Sequence, residues 1–422
     1  MNILIKSARI IDKDSTHHQK VCDVQIVDGI IKKIADKIDV KSDHVIEGKN
    51  CMLSAGFFDL HVSFGEPGFE YKEDLTSGCN AAAAGGFTEV IQMPSTLPVM
   101  QNSAAIEMVS HKTGSQPVMV HAAGALSEDM HGKDMTEMFD MHKSGAVCFT
   151  DHKNAVQDGS VMLRSLLYAK TFDGLVMSFP DDKSLSGKGQ MNEGTASTQL
   201  GLKGIPALAE EMMVARDLKL CEYAESRIHF STISAKGSVD QIRTAKKAGL
   251  KVTCDVAAHH LLLDESSLED FDTRFKIRPP LRSKDDIKAL KEGLKDGTID
   301  AISSDHIPED VENKQKEFDL AAFGAEALET AFAAANTALK DSMKVEQIIE
   351  KFTSGPRNII SQSQIKIAEG ETANLTLFDP EETWTVKEAD IRSKSKNNPF
   401  IGMKLTGKII AVFNKGHYQL IG

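Results

Sequence analysis

Short apolar runs alternate with helix-length amphipathic segments from residue 56 to residue 355, and this alternation constrains the fold more than any other feature. The pattern is typical of consecutive βα units, which build a parallel sheet. At this length it predicts an α/β fold of the (β/α)8 barrel type rather than an open sheet. The runs predicted as strands are 89–93, 145–149, 175–179, 227–230, 251–256 and 301–304. The segments predicted as helices are 75–84, 160–169, 206–224, 238–248 and 284–294.

Both ends of the chain have a different pattern, in which strands follow one another without helices between them. Residues 23–27 and 30–35 flank the turn Asp28-Gly29, which is a strong hairpin signal. Each end is too short to bury a core alone, so we expect the two ends to pair into one small β-sandwich. The predicted domains are 1–55 (first part of the sandwich), 56–355 (barrel) and 356–422 (second part of the sandwich).

The charge and apolar composition exclude several classes of protein. The chain has 49 Lys and Arg against 61 Asp and Glu, a net charge of −12, whereas nucleic-acid binding needs clustered basic residues. No apolar run approaches the length of a membrane span, and the first residues lack a signal-peptide pattern. The six cysteines are scattered without a CxxC pair, as in reduced proteins. We therefore expect a cytoplasmic protein that binds neither nucleic acid nor membrane.

Polar side chains that follow the predicted barrel strands are the candidates for chemistry, because barrel active sites form at the carboxyl ends of the strands. Asp59 and His61 follow an apolar run, Asp151 follows the run 145–149, and Asp305 follows the run 301–304. Such histidine and carboxylate groups can hold a divalent metal or perform acid–base chemistry. The alternative is structural, since carboxylates at strand ends also hydrogen-bond the backbone or cap helices.

Nine short motifs occur in chain order: 56–68 (GFFDLHVSFGEPG), 85–88 (GGFT), 93–98 (MPSTLP), 191–194 (MNEG), 258–261 (AHHL), 279–282 (PPLR), 304–308 (SDHIP), 397–402 (NNPFIG) and 405–407 (LTG). They resemble those of the dihydroorotases of the cyclic amidohydrolase family, along nearly the whole chain. The resemblance implies a metal-dependent barrel, flanked by a β-sandwich from both termini, that interconverts carbamoyl aspartate and dihydroorotate in pyrimidine synthesis.

The metal-ligand positions of that family are only partly kept. Its His-x-His-x-Arg motif falls on residues 61–65, so the second histidine is Ser63 and the arginine is Gly65. Two further ligand histidines fall on Ser178 and Thr232. The retained ligands are His61, Asp151 and Asp305, with Asp305 as the catalytic residue if the chain is active. The resemblance thus implies a remnant site that holds at most one weakly bound divalent metal, such as zinc.

The substrate-contacting positions differ as well. The family's asparagine after Met-Pro is Ser95, its asparagine before Pro-Pro-Leu-Arg is Arg278, and its closing histidine is Glu309. Together with Gly65, every such position that can be placed is altered, so no substrate-binding residue is transferred to this chain.

Three functions are compatible with this pattern. The first is a non-catalytic dihydroorotase homologue, a pseudoenzyme, that acts as a structural partner of aspartate transcarbamoylase, as inactive members of the family do. The second is an active dihydroorotase or related cyclic amidohydrolase with a residual single-metal site. The third is a small-ligand binding module that uses Arg278 at the barrel mouth. We favour the first and expect the chain to form a homo-oligomer.

Overall fold

The computed structural model describes residues 1–114 and 116–421. The strands are β1 (Asn2–Ile11), β2 (Val21–Val27), β3 (Ile30–Ala35), β4 (His44–Glu47), β5 (Met52–Ala55), β6 (Phe57–Val62), β7 (Phe87–Gln92), β8 (Met119–Gly124), β9 (Ala146–Phe149), β10 (Val176–Ser178), β11 (Met191–Asn192), β12 (Gly204–Ile205), β13 (Ile228–Phe230), β14 (Val252–Ala257), β15 (Ala301–Ser303), β16 (Asn374–Thr385), β17 (Lys404–Asn414) and β18 (His417–Leu420). The helices are α1 (Leu75–Ala84), α2 (Ser103–Thr113), α3 (Met138–Lys143), α4 (Gly159–Lys170), α5 (Lys183–Ser186), α6 (Thr195–Leu200), α7 (Ala207–Ala224), α8 (Lys236–Lys247), α9 (Lys284–Lys295), α10 (Val311–Lys314), α11 (Ala331–Leu339), α12 (Val345–Phe352) and α13 (Ser354–Ile359).

Eight parallel strands form the predicted barrel. They lie in the order β6, β7, β8, β9, β10, β13, β14 and β15, and helices connect most of them. A single parallel bridge between Val62 and His306 joins the two outer strands, so the barrel is nearly closed. The prediction of an α/β barrel is confirmed. Sequence analysis did not identify β8 and α2, because the segment that forms β8 carries His121, Gly124 and two alanines and lacks a strong apolar run.

The two ends of the chain join in one eight-stranded sheet. Strand β1 pairs antiparallel with β2 and parallel with β5, and β5 pairs antiparallel with β16, which continues into β17 and β18. The sheet has a core of its own that includes Ile5, Val24, Leu53, Leu375 and Phe413. The expected pairing of the two termini is therefore present, in the form of one continuous hydrogen-bonded sheet.

A cluster of phenylalanines packs the barrel against this sheet. The ring of Phe57, on the first barrel strand, lies 5.3 Å from that of Phe332 and 5.5 Å from that of Phe352, between ring centroids. Phe378, from β16, lies 5.7 Å from Phe57 and 5.0 Å from Phe332. All four rings are buried, so apolar burial fixes the position of the sheet relative to the barrel.

No helix within residues 1–114 and 116–421 is both long and apolar enough to cross a membrane.

A buried ion pair of the barrel lies at the same boundary between barrel and sheet. The Arg357 guanidinium, which is 1% exposed, donates to the Glu89 carboxylate (2.7 Å) and to the carbonyl oxygen of Gly56 (3.1 Å). The same Glu89 oxygen accepts a hydrogen bond from the Asn374 side chain of β16 (2.9 Å). One carboxylate thus connects β7, α13 and the terminal sheet.

We expect Arg357→Met to destabilise the protein strongly, because it removes the permanent cation from the buried Glu89 carboxylate, whose other ionic contact is His121 (2.9 Å). Breaking a buried pair in this way costs about 3–5 kcal/mol, measured here as the free energy of unfolding in urea. Arg243→Met is the matched control, since Arg243 pairs with Asp240 and Asp296 at the surface, where loss of a pair costs about 1 kcal/mol or less. Equal effects of the two substitutions would contradict the importance of the buried pair.

Candidate functional site

The buried carboxylate of Asp59 holds the carboxyl end of β6 against the end of β15. Its Oδ1 accepts hydrogen bonds from the backbone N–H groups of Ser304 (3.1 Å) and His61 (3.3 Å), and the Ser304 hydroxyl donates to Oδ2. The backbone N–H of Ser63 donates to the carbonyl oxygen of His306 (2.9 Å). These contacts place the segment that carries His61 beside the segment that carries Asp305.

The carboxylate of Asp305 is the centre of the candidate site. Its Oδ1 lies 2.6 Å from His61 Nδ1 and 2.8 Å from the Lys153 ammonium nitrogen. Asp305 is 1% exposed and His61 is 2% exposed. Burial raises the pKa of the Asp305 carboxyl, but the positive charges of Lys153 and then His61 outweigh that effect and hold this pKa well below its usual range. The Asp305 carboxylate is therefore ionised and already forms an ion pair with the Lys153 ammonium.

Lys153 reaches this carboxylate from the loop that follows β9. Its ammonium also donates to the Thr232 hydroxyl (3.1 Å) and lies 4.6 Å from the centroid of the Phe179 ring. The side chain is 16% exposed, and burial lowers the pKa of Lys153, although Asp305 partly offsets this. Lys153 therefore connects the ends of three strands, β9, β13 and β15.

Three residues of this centre have left-handed backbone conformations that side chains other than glycine rarely adopt. The φ angles are 53° at His152, 56° at Thr232 and 52° at Asp305. Each follows a barrel strand by two or three residues. Such conformations persist only where the surroundings hold them in place, and they concentrate at functional sites. The barrel mouth thus has the backbone character of a functional site.

Asp151, the remaining predicted metal ligand, forms different contacts. Its Oδ1 accepts from the backbone N–H groups of Leu126 (3.0 Å) and Ser127 (2.8 Å), and the Ser127 hydroxyl donates to Oδ2. The structure thus brings His61 and Asp305 together, whereas the Asp151 carboxylate holds the loop after β8. Its role as a metal ligand stays a prediction.

The side chains present do not form the metal centre that the resemblance implies. Among residues 1–114 and 116–421, no group of three His, Cys, Asp or Glu side chains is placed to hold a metal ion. Besides His61, the group that contacts Asp305 is the Lys153 ammonium, which has no lone pair to donate. A dication about 4 Å from that ammonium would be opposed by roughly 8 kcal/mol at an effective dielectric constant of about 20. The donor set therefore does not fit a metal ion while Lys153 is charged.

The other altered positions surround a cavity of about 410 Å³ at the barrel mouth, which Ser63, Gly65, Ser95, Arg278 and Glu309 help to line. Its charged groups are already paired within the chain. Arg278 forms an ion pair with the carboxylate of Asp181, and Glu309 pairs with Lys72, with 2.8 Å between nitrogen and oxygen. Neither pair leaves a free cation for an anionic ligand.

Gly65, at the position of the family's arginine, has no room for a side chain. Its φ angle is 70°, a conformation that favours glycine. A Cβ atom there would lie 2.7 Å from the carbonyl oxygen of Phe69 and 2.9 Å from that of Glu73. Both neighbours are backbone atoms, so the loop itself would have to move before any larger residue fitted.

Two histidines near the mouth, His229 and His260, form hydrogen bonds within the protein, whereas His259 does not. His229 bonds Asp255 (2.9 Å) and Thr253 (2.9 Å) through its two ring nitrogens. His260 bonds the carbonyl oxygen of Pro279 (3.0 Å), while both ring nitrogens of the buried His259 lack a hydrogen-bond partner. Burial lowers the pKa of His259 well below its usual range, so this ring is neutral.

Sequence analysis missed Lys153, Asp255 and Asp181 as members of the mouth. Lys153 follows the end of β9 by four residues, so the rule that selected Asp151 could have selected it too. Asp255 lies inside β14, where it accepts from Thr232 N (2.9 Å) and Ser303 Oγ (3.0 Å). No sequence signal distinguishes it from an ordinary polar residue of a strand.

Comparison with known proteins gives full-length relatives. A family model described as "Dihydro-orotase-like" matches residues 50–238. The chain is 38% identical over 420 residues to a dihydroorotase of Syntrophus aciditrophicus, covering 99% of this chain and 98% of that protein. It is 39% identical over 418 residues to a dihydroorotase of Syntrophotalea carbinolica, again covering 99% and 98%.

Solved structures show the same fold at lower identity. The L-hydantoinase (dihydropyrimidinase) of Arthrobacter aurescens superposes with a TM-score of 0.83 at 22% identity, covering 99% of this chain and 95% of that one. The dihydropyrimidinase of Brevibacillus agri gives a TM-score of 0.83 at 20% identity, covering 100% and 95%. At these identities the likeness extends to the fold alone.

The unusual ionisation of Asp59 predicts a pH-dependent stability. Burial raises the pKa of this carboxyl to about 7, although hydrogen bonds from Ser304 oppose the shift. A carboxyl whose pKa is higher in the folded state stabilises the fold below its ordinary pKa, and that stability is lost as the pH rises through 7. We therefore expect Asp59→Asn to reduce the fall in unfolding free energy between pH 4 and pH 8, measured by urea titration at each pH.

The matched control is Asp158→Asn. Hydrogen bonds from Ser160 lower the pKa of this exposed carboxyl. Its contribution to the free energy of unfolding is therefore lost only in more acidic solution. Its slope between pH 4 and pH 8 should equal that of the unsubstituted protein. An unchanged slope in Asp59→Asn would contradict the raised pKa.

Proposed function

The chain belongs to the dihydroorotase family, and we propose that it is a non-catalytic member that acts as a structural partner of aspartate transcarbamoylase. The family works in pyrimidine biosynthesis, which is the coarse function of this chain. The proposal concerns what the chain itself does there, and one observation carries it: the position of the substrate-binding arginine is a glycine that cannot be enlarged without moving the backbone.

The conformation and surroundings of Gly65 support the loss of substrate binding more strongly than the residue type alone does. A simple substitution at an open position can be compensated by a neighbouring side chain. At this position the φ angle of 70° and the carbonyl oxygens of Phe69 and Glu73 leave no space beyond the Cα atom. Losing an arginine–carboxylate contact forfeits roughly 1.5–3 kcal/mol of binding. Lys72 and Arg278 do not replace it, since Glu309 and Asp181 already neutralise them.

The Asp305 centre supports the loss of catalysis. The family's reaction uses a metal to activate water and to polarise the amide carbonyl. Here the equivalent carboxylate contacts Lys153 and His61 through Oδ1, and these neighbours hold its pKa well below the usual range, which makes it a weak acceptor of a proton from water. With Ser63, Ser178 and Thr232 in place of three histidines, the remaining donors are too few for the binuclear arrangement that the family motif describes.

The partner role rests on the contrast between a lost site and a retained fold. The barrel, the terminal sheet and the buried contacts between them are complete across residues 1–114 and 116–421. A chain under no constraint other than catalysis would have no reason to keep this framework. Inactive members of the family support the assembly of aspartate transcarbamoylase, and this chain resembles them in what it lacks. We also propose that the chain associates with itself.

An active, metal-dependent dihydroorotase is the second candidate. The observation in its favour is 38–39% identity to proteins named dihydroorotase over 99% of the chain. In that case Asp305 would act as the catalytic base and His61, Asp151 and Asp305 would share one metal ion. The two candidates predict opposite results in a direct assay.

We expect no turnover of dihydroorotate at high protein concentration, with or without added zinc, because the site lacks the arginine and a metal-binding set. Loss of dihydroorotate and formation of carbamoyl aspartate are both followed by chromatography. The dihydroorotase of Syntrophus aciditrophicus, assayed in parallel, is the positive control. Turnover that requires zinc and disappears in Asp305→Ala would contradict the proposal and establish the second candidate.

We expect the purified chain to co-elute with the aspartate transcarbamoylase of its own organism in size-exclusion chromatography at micromolar concentration. Light scattering on the same column gives the mass of the complex and of the chain alone, and so tests self-association as well. An unrelated barrel protein of similar mass is the control for non-specific association. Clean separation of the two proteins would contradict the partner role.

A further inference from the structure

We propose that the ammonium of Lys153 is the resident cation of the barrel mouth and occupies the place for which the family resemblance implies a metal ion. The chain then carries its own counter-charge for Asp305, and the mouth is complete without a metal. This inference goes beyond the proposed function, because it concerns what stabilises the mouth and applies whether or not the chain has a partner.

The contacts of Lys153 locate its ammonium among the former ligand positions. It lies 2.8 Å from Asp305 and 3.1 Å from the hydroxyl of Thr232, two positions that hold ligands in the family motif. The ring that it faces, Phe179, directly follows Ser178, a third such position. His61, the fourth, contacts the same Asp305 oxygen at 2.6 Å. The Lys153 ammonium therefore lies in contact with Asp305 and Thr232 and shares an Asp305 oxygen with His61.

The side chains at these positions suit a lysine ammonium better than they suit a metal ion. A metal needs lone-pair donors with ionised or imidazole character, and two of the positions are Thr232 and Ser178, which are poor zinc ligands. An ammonium needs acceptors: Thr232 supplies one, and the aromatic face of Phe179 supplies a favourable cation–π surface. The hydroxyl of Ser178 donates a hydrogen bond to the Asp217 carboxylate instead (2.7 Å).

Charge balance gives the same result. Asp305 is buried and its Oδ2 has no hydrogen-bond partner, so the carboxylate depends on the charges beside it. Lys153 neutralises it with one charge. Adding a dication would leave excess positive charge in a largely buried site, with Asp151 engaged by Leu126 and Ser127. A buried charge without a partner is costly, so lysine and metal exclude one another.

The first experiment measures metal in the unsubstituted protein. The chain is purified without chelator, incubated with excess zinc chloride, desalted and analysed for zinc by mass spectrometry, and its melting temperature is recorded with zinc and with EDTA. We expect zinc well below one equivalent and no change in melting temperature with either addition. One equivalent of retained zinc would overturn the proposal, as would a mass increase of one CO2 on Lys153, which would convert the ammonium into an acidic ligand.

The second experiment removes the cation. Lys153→Ala should lower the melting temperature by roughly 5–10 °C, because the Asp305 carboxylate stays buried without its partner, and added zinc should restore part of the loss. Lys153→Arg keeps the charge and should retain most of the stability without responding to zinc. Lys72→Ala is the matched control, a lysine on the same cavity that pairs with Glu309, and its stability should not respond to zinc.

The variants separate this inference from the proposed function. If Lys153→Ala were as stable as the unsubstituted protein, or if Lys72→Ala responded to zinc equally, the resident-cation proposal would be wrong. Should Lys153→Ala fail to fold, the metal content of the unsubstituted protein still decides the question. Zinc-free turnover of dihydroorotate would contradict the proposed function and leave this inference standing, whereas failure to bind the transcarbamoylase has no bearing on it.

Discussion

Buried carboxylates that bond the ends of neighbouring strands are the interaction on which the rest of this structure depends. Asp59 joins β6 to the end of β15, Asp151 holds the loop after β8, and Asp255 joins β14 to β13 and β15. Parallel strands end in backbone N–H groups and hydroxyls that need acceptors once they are buried. Each carboxylate supplies two acceptor oxygens, so contacts within the chain alone hold the strand ends at the mouth of the barrel in place.

Under the proposal that the chain is non-catalytic, this framework accounts for the retention of the fold. The acids that bond backbone groups stabilise the fold, and removing one would leave buried donors unsatisfied. Substitution of histidines and an arginine that contact only the metal and the substrate leaves no buried group of the protein without a partner. At this mouth the retained groups, Asp59, Asp151 and Asp305, all have partners within the chain, while the altered positions Ser63 and Gly65 are those whose partners would have been external.

The sequence predicted the repetitive part of the fold well and the site only in part. Helix α1 was predicted with its observed bounds, and the bounds of the other predicted barrel elements lie within two residues of the observed ones. This agreement follows because the spacing of apolar residues along the chain reflects which residues are buried. Strand β8 was missed, since alanine, glycine and histidine give no strand signal there. Asp305 follows β15, whereas His61 lies within β6, one residue from its end, and the two side chains are in contact at the barrel mouth. Lys153 was missed because its role depends on which side chain lies across the barrel.

The sequence by itself determined the barrel, the pairing of the two termini, the family, and which motif positions carry unusual residues. These follow from local patterns and from the order of motifs along one chain. Only the tertiary structure decided that Asp151 bonds Ser127, that Gly65 has no room for a side chain, and that the lysine ammonium meets Asp305. These facts depend on distances between segments far apart in sequence, which closure of the barrel sets and no local pattern encodes.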